Sequence, residues 1–341
     1  MRISKPITFD TFPGMDNVAQ KSGKVDVRIH GRNAIIPQII LNMYVTPDGK
    51  LIIRQGSSLF VALEDVHSLT SDGMDLFCAG KGITSPESIW KVSPLAVKTE
   101  IGAIHGKFNP LSYIFANNKG YMSSKVWNGI YEYSTGDIRV WGSEYGDDPA
   151  IISNLESSEE MLTLNVKPAP YMENLCLYGS RIWGNIVKDL HYSEPLAFEW
   201  FKNENTISFL QDITMVAEGN NGLYVASESI TWFMSGMNPE EMTMTIVGDG
   251  AIPGSLQYCT FAKFGDGIPV WTTKSGIVAG VAGGIKPLTS GRIRFDINGR
   301  ASSLFSNKGG VPQYLSSFGL PSTATFGDSI TTEVVRNGKL I

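Results

Sequence analysis

Between positions 213 and 289 the chain divides itself into eight short apolar runs separated by clusters of glycine, asparagine, serine and acidic residues. Runs at 213–217, 223–227, 230–235 and 242–247 come first, and runs at 258–264, 268–273, 277–281 and 285–289 repeat the pattern. In the fourth run Met242, Met244 and Ile246 share one face while Thr243 and Thr245 share the other, the alternation of a half-buried antiparallel strand. The two sets start 45 residues apart, at Ile213 and Tyr258. A four-stranded meander repeated every roughly 40–50 residues is what a β-propeller blade looks like in sequence.

The same punctuation extends upstream. Meanders start near 35, 74, 111, 172, 213 and 258, and residues 292–317 complete a seventh unit or close the ring. Turn clusters such as Thr46-Pro47-Asp48-Gly49, Asn117-Asn118, Asn128-Gly129 and Asn220-Asn221-Gly222 mark the hairpins. Gly129 and Gly222 are expected at positive φ in those turns. No apolar stripe with a 3.6-residue period is sustained anywhere, so helix is a minor component. The expected fold class is all-β, a β-propeller of six or seven four-stranded antiparallel blades spanning 35–318. An irregular N-terminal arm (1–34) precedes it, with one edge strand where Val25, Val27 and Ile29 alternate. An inserted loop occupies about 142–168, and a C-terminal tail covers 319–341.

Composition narrows the function classes. Hydrophobic residues make up 42% of the 341 and charged residues 18%, which supplies a core and excludes a disordered chain. The formal charge of −5 disfavours nucleic-acid binding through a global field. Cys78, Cys176 and Cys259 each sit inside an apolar run and read as buried, reduced core residues. No apolar run approaches the roughly 18 residues needed to span a membrane. The first residues lack the apolar core of a secretory signal, which leads to an expectation of folding in a cytoplasm.

A search for chemistry returns little. His30, His67, His105 and His191 are too dispersed for a local metal-ligand spacing, and no nucleophile elbow, phosphate loop or paired Cys-x-x-Cys is present. Glu64-Asp65-Val66-His67 puts a carboxylate two residues from a histidine and reads as a surface pair. Asp147-Asp148, Glu159-Glu160 and Glu240-Glu241 are adjacent on loops, where they point apart and serve as solvating charges rather than a facing acid–base pair. Ser71-Asp72-Gly73 is a fragment of the aspartate box of propeller sialidases without its spacing or its tryptophan. Trp90, Trp127, Trp141, Trp183, Trp232 and Trp271 fall nearly one per unit and read as wedges between blades, whereas the pattern leaves Trp200 open between burial and exposure. The expectation is therefore no enzyme, no cofactor and no metal.

Two stretches carry contact expectations. Arg292 and Arg294 stand two apart on one face of a strand, suited to DNA phosphate, to an acidic neighbour or to guarding an edge. Ile330, Thr331, Thr332, Glu333, Val334 and Val335 form a β-prone run expected to add as a strand to a sheet edge of its own chain or of a neighbour.

Four phrases, in this order, carry a family resemblance. Gly179-Ser180-Arg181-Ile182-Trp183 goes with Tyr192-Ser193-Glu194-Pro195-Leu196, and Gly222-Leu223-Tyr224-Val225-Ala226 with Phe233-Met234-Ser235-Gly236-Met237-Asn238-Pro239. The third runs from Pro269 through Trp271 to Ile277, and the fourth from Gly284 through Pro287 to Arg292. Across about 30–318 the chain resembles the β-propeller structural proteins at the end of short bacteriophage tails, called tail nozzle, tail tubular protein B-like or DNA-stabilisation proteins. That resemblance implies a homo-oligomeric ring, a hexamer in the family, that contacts adjacent tail or adaptor proteins. It implies a place in the virion tail after assembly in the host cytoplasm, with genomic DNA passing transiently through the channel. Longer members carry additional domains beside the propeller, whereas little of these 341 residues is expected to lie beyond the six or seven meanders. A host-surface propeller that binds or cleaves glycans is the rival reading.

Overall fold

The structure is a computed structural model. It describes residues 24–29, 32–37, 43–45, 51–53, 60–104, 109–142, 166–261, 263–289, 299–307, 312–318, 332–336 and 339–340. Among these, the backbone is almost wholly extended. Two short hairpins come first, β1 (Lys24–Ile29) with β2 (Arg32–Pro37) and β3 (Met43–Val45) with β4 (Leu51–Ile53). Six antiparallel sheets of four or five strands follow in chain order.

The first sheet is β5 (His67–Ser71), β6 (Leu76–Gly80), β7 (Ser88–Val92) and β8 (Lys98–Ala103). The second is β9 (Ser112–Ala116), β10 (Lys119–Ser123), β11 (Asn128–Glu132) and β12 (Ile138–Arg139). The third takes β13 (Val166–Lys167), β14 (Glu173–Tyr178), β15 (Arg181–Ile186), β16 (Asp189–Glu194) and β17 (Ala197–Ser208), with β13 added beyond β17. Then come β18 (Met215–Gly219), β19 (Gly222–Ala226), β20 (Thr231–Ser235) and β21 (Thr243–Gly248), followed by β22 (Gln257–Phe261), β23 (Gly265–Thr273), β24 (Gly276–Val281) and β25 (Gly284–Pro287). The last sheet is β26 (Ala301–Ser306), β27 (Gln313–Phe318), β28 (Thr332–Arg336) and β29 (Lys339–Leu340). The single helical turn among the described residues is a 3-10 segment at Pro239–Glu241.

Two compact units result. One holds Ser57–Glu218 with Met237–Glu240, and the other holds Met1–Gly56, Gly219–Gly236 and Glu241–Ile341. Within each, apolar side chains meet between neighbouring sheets as well as across the strands of one sheet. In the first unit Phe77 of β6 lies 5.1 Å from Phe115 of β9, and Tyr121 of β10 lies 5.6 Å from Phe198 of β17. In the second, Tyr224 of β19 lies 5.5 Å from Trp271 of β23 with the rings tilted, and Phe261 of β22 meets Phe305 of β26 at 6.0 Å. Each such ring, fully buried, contributes about 1.5–3 kcal/mol through the apolar area it removes from water. Trp141, Trp183 and Trp271 are buried completely or nearly so, with Trp90 and Trp232 close behind, while Trp127 and Trp200 are half-buried.

The segments leaving one sheet are tied back to hairpins and connections earlier in the chain. Ile104 N–H donates to Glu87 O, Ile213 N–H to Val187 O, Ala251 N–H to Ser227 O and Ala301 N–H to Pro253 O. Buried Asn128 donates through Nδ2 to Ala169 O at 2.8 Å, and buried Asn185 does the same to Ile213 O at 3.3 Å. The two asparagine bonds satisfy backbone carbonyls of the buried residues Ala169 and Ile213.

Several expectations need correction. Gly222 and Gly129 are not in the left-handed region; they open β19 and lie inside β11. The positive φ at the β18–β19 turn belongs to Asn221, at 60°. What demands glycine at 222 is space, since a Cβ there would meet Met234 O at 2.2 Å and Phe233 Cζ at 2.6 Å. At Gly129 the obstacle is the Trp127 ring, 2.6 Å away. The two runs expected at 198–201 and 207–210 are one twelve-residue strand, β17, whose register slips where Ser193 faces Phe201 and His191 faces Thr206. Val25, Val27 and Ile29 lie in β1, which pairs with β2 so that Ile29 faces Arg32 and Lys24 faces Pro37. In the C-terminal part Tyr314 faces Val335 and Ser317 faces Thr332, so β28 and β29 extend the last sheet.

Candidate functional site

The densest group of charged side chains lies where the second sheet meets the third. Lys119 opens β10 directly after the Asn117-Asn118 turn, whose residues both hold positive φ, 51° and 59°. Cross-strand pairing sets Glu132 opposite Lys119, and β12 brings Arg139 beside them. Glu199 reaches in from β17. Its Oε1 accepts from Lys119 Nζ at 3.0 Å, from Tyr121 OH at 3.3 Å and from Arg139 Nη2 at 3.4 Å. Arg139 Nε donates to Glu132 at 2.9 Å. Burial, reinforced by the charge of Glu199, raises the Tyr121 phenol well above its usual range and keeps it a donor. Two cations and two carboxylates cancel. The arrangement is suited to clamping two sheets together, because each charge is already answered inside the network.

A second cluster lies at the first sheet. His67 Nε2 pairs with Glu87, whose side chain is 6% exposed, and His67 Nδ1 lies 2.8 Å from Ser68 Oγ. Carboxylate, imidazole and hydroxyl follow the order of a nucleophilic relay. Ser68 Oγ, however, also accepts the Leu111 N–H at 2.8 Å, which fastens β5 to the start of the second sheet. Ser68 holds a φ of 53°, a conformation that local packing must maintain. The sequence pointed to Asp65 as the partner of His67; the structure assigns that place to Glu87, twenty positions away.

His191 of β16 is a half-buried histidine in the third sheet. Its Nδ1 lies 2.9 Å from Thr206 Oγ1, and burial first, then the Lys167 charge, lower its pKa against a smaller opposing effect of Asp189. The folded pKa is below the unfolded value of about 6.5, so the unfolded chain binds this proton more readily. Stability is therefore unaffected by His191 above that pH and falls as pH drops from about 6.5 towards the folded pKa. Urea midpoints should decline from pH 7 to pH 5, and His191→Gln should flatten part of that decline. Equal slopes in the two proteins would remove His191 from the account.

Arg292, Arg294, Ile330 and Thr331 lie outside the described residues, as do His30, His105 and the carboxylate pairs at 147–148 and 159–160. Thr332, Glu333, Val334 and Val335 form most of β28. Glu240 and Glu241 are exposed in the 3-10 turn. All three cysteines are buried, and burial alone pushes the Cys78 thiol to about 11 and that of Cys259 to about 12. Ser71-Asp72-Gly73 closes the β5–β6 hairpin, where Asp72 Oδ1 caps the Met74 and Asp75 N–H groups at 2.8 and 2.7 Å. Among the described residues no group of three His, Cys, Asp or Glu is placed to hold a metal ion. No helix there is long and apolar enough to cross a membrane.

No family model and no curated protein matches the chain. Solved structures do. The extracellular domain of a hybrid two-component system from B. thetaiotaomicron aligns at 11% identity and a TM-score of 0.47, over 81% of this chain and 34% of that one. PorZ, a surface component of the type-IX secretion system of Porphyromonas gingivalis, aligns at 10% identity and 0.43, over 82% and 37%. A catalytically inactive virginiamycin B lyase from Staphylococcus aureus aligns at 12% identity and 0.44, over 89% and 94%. The chain spans about a third of the first two structures it matches, 34% and 31%.

Proposed function

We propose that the chain is a β-propeller of six or seven blades that serves as a structural subunit of a ring at the distal end of a short bacteriophage tail. In this role it gates the DNA channel, helps retain the genome and releases it at ejection, without catalysis. The observation that carries the reading is that the sequence phrases behind the resemblance are physical partners. Trp183 faces Tyr192 across β15 and β16, with ring centroids 4.7 Å apart. Arg181 Nη1 donates to Ser193 O at 2.7 Å and its guanidinium lies over the Tyr192 ring at 5.4 Å, while Leu196 N–H returns to Ser180 O at 2.7 Å. Gly222 faces Ser235 and Tyr224 faces Phe233. The third phrase is itself a hairpin, Thr273 opposite Gly276, and its last strand pairs with the fourth phrase, Val278 opposite Pro287. A set of words that folds into interlocking hairpins supports a shared blade design better than isolated glycine turns do.

The role as a scaffold draws support from two ties described above: Glu199 of the third sheet holds Lys119 and Arg139 of the second, and Ser68 of the first holds the Leu111 N–H. The decisive experiment is negative-stain electron microscopy of the purified protein, alone and with the proteins of its own tail. Closed rings of several copies around an axis are expected. A chain that stays monomeric with those partners and is retained on a glycan array would overturn the assignment in favour of host-surface recognition.

A further inference from the structure

Sheet edges that face outward invite pairing with another chain, and proteins blunt them with charge or proline. In the six larger sheets, the last strand at the edge follows that rule with one exception. β8 carries Lys98 and Glu100, β12 Arg139, β13 Lys167, β25 Lys286 and Pro287, and β29 Lys339. β21, Thr-Met-Thr-Ile-Val-Gly, has neither charge nor proline, although it ends its sheet beyond β20. The opposite edges are covered differently, since the first strands of neighbouring sheets, β9 with β14 and β22 with β26, lie against each other. β21 approaches β25 as well, with Gly248 close to Ile285, but residues 243–246 stay open. Met244 is 45% exposed and Ile246 64%, where the sequence pattern led us to expect a buried face.

We propose that β21 is a pairing edge for a second copy of this chain, joined antiparallel across a two-fold axis at Thr245. The strand complements itself. A two-fold perpendicular to the sheet keeps each face of one strand on the same face of its partner. Centred on Thr245, it sets Met244 against Ile246 of the second copy, twice, and Thr245 against Thr245. Apolar and β-branched cross-strand pairs of this kind stabilise antiparallel ladders. The register shift between Thr231 and Trp232 makes Val247 the extra residue of β21, so the regular stretch is the one the symmetry uses. Outside it, Glu241 approaches Asp249 of the other copy, two like-charged contacts per pair. Salt therefore strengthens the association by screening them, opposite to a pairing held by opposite charges.

One strand pair is a small interface, below the roughly 1,200 Å² of stable complexes, so the association is weak and concentration-dependent. Sedimentation equilibrium of the full chain should show the average mass rising towards a dimer with concentration, more steeply at high salt. Ile246→Lys, which adds charge at an exposed position, should abolish that rise and leave the thermal transition unchanged. Thr245→Cys should cross-link to its symmetry mate under mild oxidant, because directly opposed strand residues fall within disulfide reach and the native thiols are buried. Cross-linking through Thr245→Cys, lost on adding Ile246→Lys, establishes the pairing. A chain that stays monomeric throughout, or that associates without forming this cross-link, overturns it.

Discussion

Replacing Gly222 by valine should cost the protein about 3 kcal/mol or more of stability, at the upper end of what overpacking does. The expected cause is collision. The first atom of any side chain at 222 falls 2.2 Å from Met234 O and 2.6 Å from Phe233 Cζ, and both neighbours are fixed. Met234 pairs with Leu223 in the ladder, and Phe233 is held against Tyr224 at 4.8 Å. Neither yields without opening the β19–β20 hairpin. Gly222→Ala should show most of the effect, because the offending atom is the Cβ itself. Asn221→Gly, at the neighbouring residue that does hold positive φ, should be close to neutral. Urea denaturation of the three variants separates the causes: a mild Gly222→Ala beside a damaging Asn221→Gly would return the requirement to backbone conformation.

Glu199→Ala should be the most damaging surface-proximal substitution in the first unit, at about 3 kcal/mol. One oxygen of that carboxylate serves Lys119, Arg139 and Tyr121, and the side chain is 14% exposed. Its removal takes from Lys119, 19% exposed, its 3.0 Å carboxylate partner, whereas the contact to Glu132 is longer, at 3.7 Å. Glu199→Gln should recover a part of the loss, since an amide oxygen still accepts but carries no charge. Adding Lys119→Met to Glu199→Ala should also recover stability, because the stranded cation goes with the anion. Additive losses in that double variant, measured by denaturant titration, would show that the two residues act independently.

The sequence made local structure legible and long-range chemistry illegible. Runs expected at 230–235, 268–273 and 277–281 correspond to β20, β23 and β24 because turn residues and alternation act over a few positions. The Asn117-Asn118 hairpin was readable for the same reason. Gly222 looked like a turn residue because it stands beside Asn221, yet its role is set by Phe233 and Met234, which only the fold brings near. Glu199 meets Lys119 across 80 positions and Glu87 meets His67 across 20, distances over which no spacing rule applies. Alternation in β21 promised a buried face, but whether anything covers that face depends on the next sheet, and the pattern is blind to it.

The ties between consecutive sheets also set the order in which the chain is able to fold. Ala251 reaches back to Ser227, Ala301 to Pro253 and Ile213 to Val187, and Met172 N–H finds Ser123 Oγ 49 positions earlier. Every one of these bonds closes a modest loop, so the entropy lost in forming it is small compared with that of joining distant ends. All-β proteins are ordinarily slow because their contacts are remote in sequence. Here each sheet gains its fastening as soon as the segment after it has been synthesised. A chain emerging from the ribosome is thus able to bank its structure sheet by sheet, and its unfinished end presents one raw face at a time to the chaperones and proteases around it.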